Sequence, residues 1–168
     1  MVERVTASGP SDGPVHPVPV LAGLASKAQS RLQTGLIPGN RDPVGFWLTP
    51  PEIMDQLQSE FDFNYDACPF PRPAGFDAVK ESWGTRTYVN PPFKGSKMDW
   101  ARKCVAEHNE GKLVVLILGT GNLSHVCDVM PPEVEVRLIP PFKWLNPDGS
   151  IQKTAYSAFL FILRGKKR

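Results

Sequence analysis

The run Leu113–Leu118 constrains this chain more than any other feature: six consecutive apolar residues, Leu-Val-Val-Leu-Ile-Leu, with none polar enough to face water. A strand of that kind is covered on both faces, as central strands of parallel sheets are. It is also far too short to cross a membrane as a helix. Just before it, residues 97–109 put Met98, Ala101, Cys104 and Val105 on one side at helical spacing, and Gly111 follows as a stop signal. An amphipathic helix feeding a doubly covered strand predicts an α/β sandwich with a mainly parallel sheet and helices on both faces.

The flanking segments extend that outline. Thr49-Pro50-Pro51-Glu52 reads as a helix start, with Thr49 as N-cap, Pro50 at the first helical position and Glu52 completing a capping box. The helix continues through Ile53, Met54, Leu57 and Phe61. Phe61–Tyr65 alternates apolar and polar residues and predicts a strand ending at Asp66, and residues 67–82 read as a loop. A short strand is expected at Thr87–Val89, a helix at Asn122–Met130, and strands at Val134–Ile139 and Ala158–Leu163. Between the last two lies the turn Asn146-Pro147-Asp148-Gly149 and no convincing helix. A parallel return needs a crossover of a dozen or more residues, usually helical. The final pair is therefore expected to be an antiparallel hairpin.

Residues 1–40 are rich in Pro, Gly and Ser, and bury too little apolar surface to offset their ordering entropy. They read as a mobile arm ahead of one domain, 41–168. Lys and Arg number 19 against 17 acids, so net charge alone does not announce a nucleic-acid partner. The basic C-terminal residues Arg164, Lys166, Lys167 and Arg168 either touch phosphates or form a solvated end. Cys68, Cys104 and Cys127 cannot all pair and no signal peptide precedes them, which predicts a soluble intracellular protein in host cytoplasm or nucleus. Oligomeric state is not legible.

Asn90-Pro91-Pro92-Phe93 comes directly after the short strand, where open α/β sheets place their ligands. The exocyclic amine of a nucleobase is a poor nucleophile because its lone pair is delocalised into the ring. Hydrogen bonds from that amine to the Asn90 side-chain oxygen and the Pro91 carbonyl would localise the lone pair. The two prolines hold those acceptors rigidly, and Phe93 offers a flat face for an extruded base. The bland reading of the same tetrapeptide is a proline-rich turn after an edge strand. Asp66, at a strand end, suits a carboxylate accepting hydrogen bonds from a ligand, or else a turn cap.

Three further features carry weaker signals. Phe142-Lys143-Trp144 supplies a stacking ring and a phosphate contact at the substrate, or an aromatic plug under the hairpin loop. Cys104, His108, His125 and Cys127 lack the paired spacing of a zinc site, so no metal is expected. Gly119-Thr120-Gly121-Asn122 lacks the Lys-Ser/Thr of a phosphate-binding loop and the third glycine of a dinucleotide fingerprint.

Over roughly residues 45–163 the sequence resembles the small phage-type DNA N6-adenine methyltransferases. Phe46-Trp47-Leu48-Thr49-Pro50 looks like that family's aromatic-x-Thr-Pro segment. Glu60-Phe61-Asp62-Phe63-Asn64-Tyr65-Asp66-Ala67-Cys68 is similar to its Glu-Phe-x-Phe-x-x-Asp-x-Cys stretch. Asp77 with Trp83 resembles the acid and tryptophan before the catalytic strand. Tyr88-Val89-Asn90-Pro91-Pro92-Phe93, followed by Trp100, matches the catalytic motif with Phe in place of the usual Tyr. The resemblance implies a class I methyltransferase sandwich dependent on S-adenosyl-L-methionine (AdoMet), with cofactor-binding Trp47, Thr49, Pro50, Asp66, Cys68 and Asp77, Asp66 accepting from the AdoMet amino or ribose hydroxyl groups. It implies catalysis by Asn90, Pro91, Pro92 and Phe93 on adenine N6 in DNA, with cytosine N4, RNA adenine, or an inactive nucleic-acid-binding relative as alternatives. Gly119-Thr120-Gly121-Asn122 departs from the Pro-containing segment of the family, and no insert is large enough for a separate target-recognition domain.

Overall fold

The computed structural model describes residues 45–165; the arm expected over residues 1–40 and the last three basic residues lie outside it. Five strands form one open mixed sheet: β1 (Tyr65–Asp66), β2 (Arg86–Val89), β3 (Leu113–Gly119), β4 (Glu135–Phe142) and β5 (Tyr156–Leu163), in the order β1-β2-β3-β5-β4. The β1–β2 and β2–β3 pairs are parallel, and both pairs made by β5 are antiparallel. Strand β5 therefore runs against the other four. The expected antiparallel hairpin is present, but its second strand lies inside the sheet and its first becomes the edge.

Side-chain alternation sorts the core into two layers. Val114, Leu116 and Leu118 of β3 face one side with Phe161 and Leu163 of β5, against Ala101 and Cys104 of α2 (Lys97–Asn109) and Val126 of α3 (Leu123–Cys127). Val115 and Ile117 face the other with Leu160 and Ile162, against Met54, Leu57 and Phe61 of α1 (Pro51–Phe61). This is the α/β arrangement with helices on both faces that the apolar run implies. Edge strand β4 is different: Val136 and Leu138 are exposed, while Arg137 reaches across to Glu60 at 2.7 Å. Its register with β5 breaks between Ile139 and Phe142, where Pro140 and Pro141 have no N–H to donate.

Several boundaries differ from the sequence expectation. The α1 N-cap is Pro50, with Pro51 in the first turn and no side-chain cap, because the Thr49 hydroxyl is engaged elsewhere. The expected strand from Phe61 shrinks to Tyr65–Asp66: α1 takes Phe61, and Asp62 closes the helix in the left-handed region at φ 50°. The helix expected at 122–130 divides into a 3-10 turn at Thr120–Asn122 and five-residue α3. Arg164, expected as part of a free basic tail, is paired with Glu135 at 2.9 Å. Among the described residues no helix is long and apolar enough to cross a membrane.

Of the two roles expected for Trp144, the structure rules out base stacking and keeps the plug. The side chain is fully buried in the α1 layer, so a base cannot stack on it; it is the aromatic plug beneath the hairpin loop. Trp144→Ala should therefore cost roughly 3–5 kcal/mol of stability, as deletion of a buried aromatic does. Urea unfolding measures this, and a loss below about 1 kcal/mol would put Trp144 at the surface instead.

Candidate functional site

Strand β2 delivers Asn90 to the edge where the parallel strands end, and contacts with residues 45–49 hold both Asn90 and the Pro-Pro-Phe turn beyond it. The Asn90 side-chain nitrogen donates to the Trp47 carbonyl at 2.8 Å and to the Thr49 hydroxyl at 3.3 Å. Thr49 in turn shares a 2.5 Å hydrogen bond with the Tyr88 hydroxyl. A main-chain carbonyl only accepts, so the Trp47 oxygen fixes which end of the Asn90 amide faces it. The amide oxygen is left oriented away, and neither it nor the Pro91 carbonyl accepts a hydrogen bond among the described residues.

The turn itself has few internal ties, since Pro91 and Pro92 carry no N–H. Two outside contacts hold it. The Phe93 N–H donates to the Gly45 carbonyl at 2.6 Å, and the Lys97 ammonium donates to the Pro92 carbonyl. Gly45 sits at φ 114°, a conformation other residues rarely adopt. Lys97 also lies 5.8 Å over the half-buried Phe93 ring, and desolvation holds its pKa below the usual lysine value. The Phe93 ring meets Trp47 at 4.4 Å and the edge of Trp144 at 5.7 Å. Gly119, leading into the 3-10 turn, closes on Phe93: a Cβ there would stand 3.7 Å from the ring.

On the other side of the Pro-Pro turn is an open cleft with a cavity volume of about 220 Å³. Its walls include Phe46, Phe76 and Trp100, with Cys68, Arg72 and Asp77 as the polar and ionisable members; Pro92 forms its border with the motif. Such a cleft, mostly apolar with a few polar groups, is the usual form of a small-molecule site. Asp77 keeps a pKa below the usual carboxylate value because Lys80 donates to it. The Cys68 thiol is pushed well up by burial, partly offset by a hydrogen bond from the Asn90 backbone, so it stays protonated.

Asp66 sits at the end of β1, immediately before the cleft residues Ala67 and Cys68. One carboxylate oxygen accepts the Cys68 N–H at 2.8 Å, which closes the turn into the cleft. Desolvation raises its pKa to about 6 against that hydrogen bond. A carboxylate kept this short of hydrogen-bond donors is a ready acceptor for ligand hydroxyl or ammonium groups.

The sequence-predicted cofactor residues thus separate. Cys68 and Asp77 border the cleft, and Asp66 lies next to it. Trp47, Thr49 and Pro50 do not border it: Trp47 packs on Phe93, Thr49 orients Asn90, and Pro50 is buried at the start of α1. Phe46, Arg72, Phe76 and Trp100 were missed as cleft residues. Phe46 and Trp100 belong to the motif segments and were legible there, whereas Arg72 and Phe76 lie in a loop with no periodicity. Of the expected substrate residues, Lys143 is exposed, Phe142 is half-buried against Trp144 at 4.6 Å, and Trp144 is core. Cys104 is in the apolar core, and among the described residues no cluster of three or more potential metal ligands forms. Compared with known protein families, curated proteins and solved structures, the chain matches none.

The raised Asp66 pKa has a sign that can be checked. The folded protein binds this proton more tightly than the unfolded chain, so the ionised carboxylate costs stability. That cost grows as pH rises from about 4 to about 6 and is constant above. Asp66→Asn keeps the acceptor for Cys68 and removes the charge. Its stability relative to the parent should rise by roughly 1–3 kcal/mol across that window. Urea unfolding at both ends of the window tests this, and a pH-independent difference would contradict it.

Proposed function

We propose that the protein is an AdoMet-dependent methyltransferase acting on the exocyclic amine of a nucleobase, adenine N6 in DNA foremost. The observation that carries this reading is the fixed orientation of Asn90. Its amide nitrogen is committed to Trp47 and Thr49, so its oxygen is a preorganised acceptor, and the carbonyl of the next residue, Pro91, also accepts no hydrogen bond among the described residues. Two such acceptors draw on the two hydrogens of an amino group and return its lone pair to nitrogen, and holding them in place beforehand avoids reorganisation during reaction. The open mixed sheet with one reversed strand is compatible with the class I methyltransferase sandwich that the sequence resemblance implies.

The cleft suits the cofactor chemically. Phe46, Phe76 and Trp100 offer apolar faces to an adenine ring, while Asp66 and Asp77 match ligand hydroxyl and ammonium groups. When bound, AdoMet supplies an electrophilic methyl group. The residues of this chain position the acceptor: Asn90 and Pro91 hold the amine, Phe93 supports the base, and the Pro-Pro turn keeps the amine at the cleft border. Transfer requires no side-chain base beforehand, because the amine becomes strongly acidic once the new bond forms and releases its proton to water.

Incubation with labelled AdoMet and either DNA or RNA, followed by nucleoside analysis, tests the reading and separates adenine from cytosine. Asn90→Ala should lower the rate on the order of 10²-fold or more, with AdoMet affinity nearly unchanged. Turnover close to that of the parent would remove the motif from the mechanism. Phe93→Tyr should keep most activity, while Phe93→Ala should lose roughly 1–3 kcal/mol of base binding. Equal losses in both variants would assign Phe93 to packing alone.

A further inference from the structure

Among the described strands β5 alone is reversed, and that places its first residue, Tyr156, at the same end of the sheet as Asn90. Tyr156 is the register partner of Phe142 and is 44 % exposed. Its ring stacks on Trp47, with centroids 5.9 Å apart and planes within 20°. Trp47 packs on Phe93, and its carbonyl holds Asn90. Three aromatic rings thus lead outward from the catalytic turn and end at one exposed to solvent. The loop that reaches Tyr156, residues 143–155, contains two exposed lysines, Lys143 and Lys153, and a single acid, Asp148. Asp148 is already engaged by the Ser150 N–H and hydroxyl, at 2.8 and 2.6 Å.

We propose that Tyr156 and this lysine-bearing loop form a subsite for the nucleotide adjoining the target, taken from an unpaired or locally opened nucleic-acid strand. The inference rests on the proposed reaction and extends it to a part of the substrate that Asn90 and Phe93 do not reach. Physically, an aromatic face accepts any base by stacking, and lysines meet the backbone without reading sequence. That combination suits a chain whose described portion has no separate domain for sequence readout. Trp47 is then the link between the subsites, since one ring contacts both Phe93 and Tyr156.

The test uses the full chain and a short fluorescent single-stranded deoxyoligonucleotide containing adenine. Binding by anisotropy should weaken roughly 5- to 100-fold in Tyr156→Ala and stay near the parent in Tyr156→Phe. The double variant Lys143→Gln/Lys153→Gln should show a shallower dependence of affinity on salt. In methyl transfer, Tyr156→Ala should raise KM for the oligonucleotide and leave kcat and AdoMet affinity intact. Unchanged oligonucleotide binding in Tyr156→Ala, or no binding by the parent, overturns the subsite. Tyr156-dependent binding without any methyl transfer by the parent would refute the reaction and leave the subsite standing. Transfer with an unaltered KM in Tyr156→Ala would do the reverse.

Discussion

The antiparallel pairing of β3 with β5 is the interaction on which the other features depend. It joins Val114–Gly119 to Ala158–Leu163 through six residue pairs, and both strands are apolar on both faces. Neither strand can occupy an edge without exposing one of its faces or its backbone groups. Each therefore takes an interior position, and the remaining strands fill in around them. The alternating β4 is left at one edge and two-residue β1 at the other. Because the pairing is antiparallel, the start of β5 meets the end of β3, so Tyr156, far along the chain, comes to the same end of the sheet as the Asn-Pro-Pro turn and stacks on Trp47.

The segment before α1 then unites the two halves of the candidate site. Leu48 and Leu145 exchange backbone hydrogen bonds at 2.8 and 3.0 Å, tying residues 45–49 to the hairpin loop. From that fixed position successive residues serve different neighbours. Gly45 receives the Phe93 N–H, Phe46 lines the cleft, the Trp47 carbonyl orients Asn90, and the Thr49 hydroxyl bridges Asn90 and Tyr88. In the sequence this stretch resembles a cofactor-binding segment. In the structure its main work is to position the motif, with one residue at the cleft.

Much of the fold was legible because the signals were local. The apolar run at 113–118 and the spacing in 97–109 fix β3 and α2 whatever surrounds them, and α2 spans the residues expected. The misses occur where a partner decided the outcome. Thr49 has the chemistry of an N-cap, but Tyr88 and Asn90 take its hydroxyl, and the cap moves to Pro50. Trp144 sits among polar and turn residues that suggest exposure, yet the bridge from Leu145 to Leu48 draws it under the loop. Arg164 looks like part of a tail until β5 brings it beside Glu135. Tyr156 had no signal at all, since neither its exposure nor its stacking on Trp47 follows from any spacing in the chain.

The energetics of the cleft also bear on which ligand it suits. Asp66 is held in a state that opposes its ionisation, and Asp77 adds a second carboxylate to the same region. A phosphate-bearing ligand would bring further negative charge against them. The turn after β1 is Ala67-Cys68-Pro69, which lacks the run of glycine N–H groups that phosphates need. A ligand carrying an ammonium and ribose hydroxyls instead gives Asp66 the donors it lacks, and lowers its pKa on binding. Part of the stability lost to the buried carboxylate is then recovered in the complex. Arg72, whose guanidinium donates to the Phe76 carbonyl at 2.8 Å within the cleft wall, keeps its positive charge there, and Lys80 pairs with Asp77 at 3.0 Å. Under the proposed reading it is the unmet acceptor capacity of Asp66, rather than net charge, that favours a ligand carrying ammonium and hydroxyl donors.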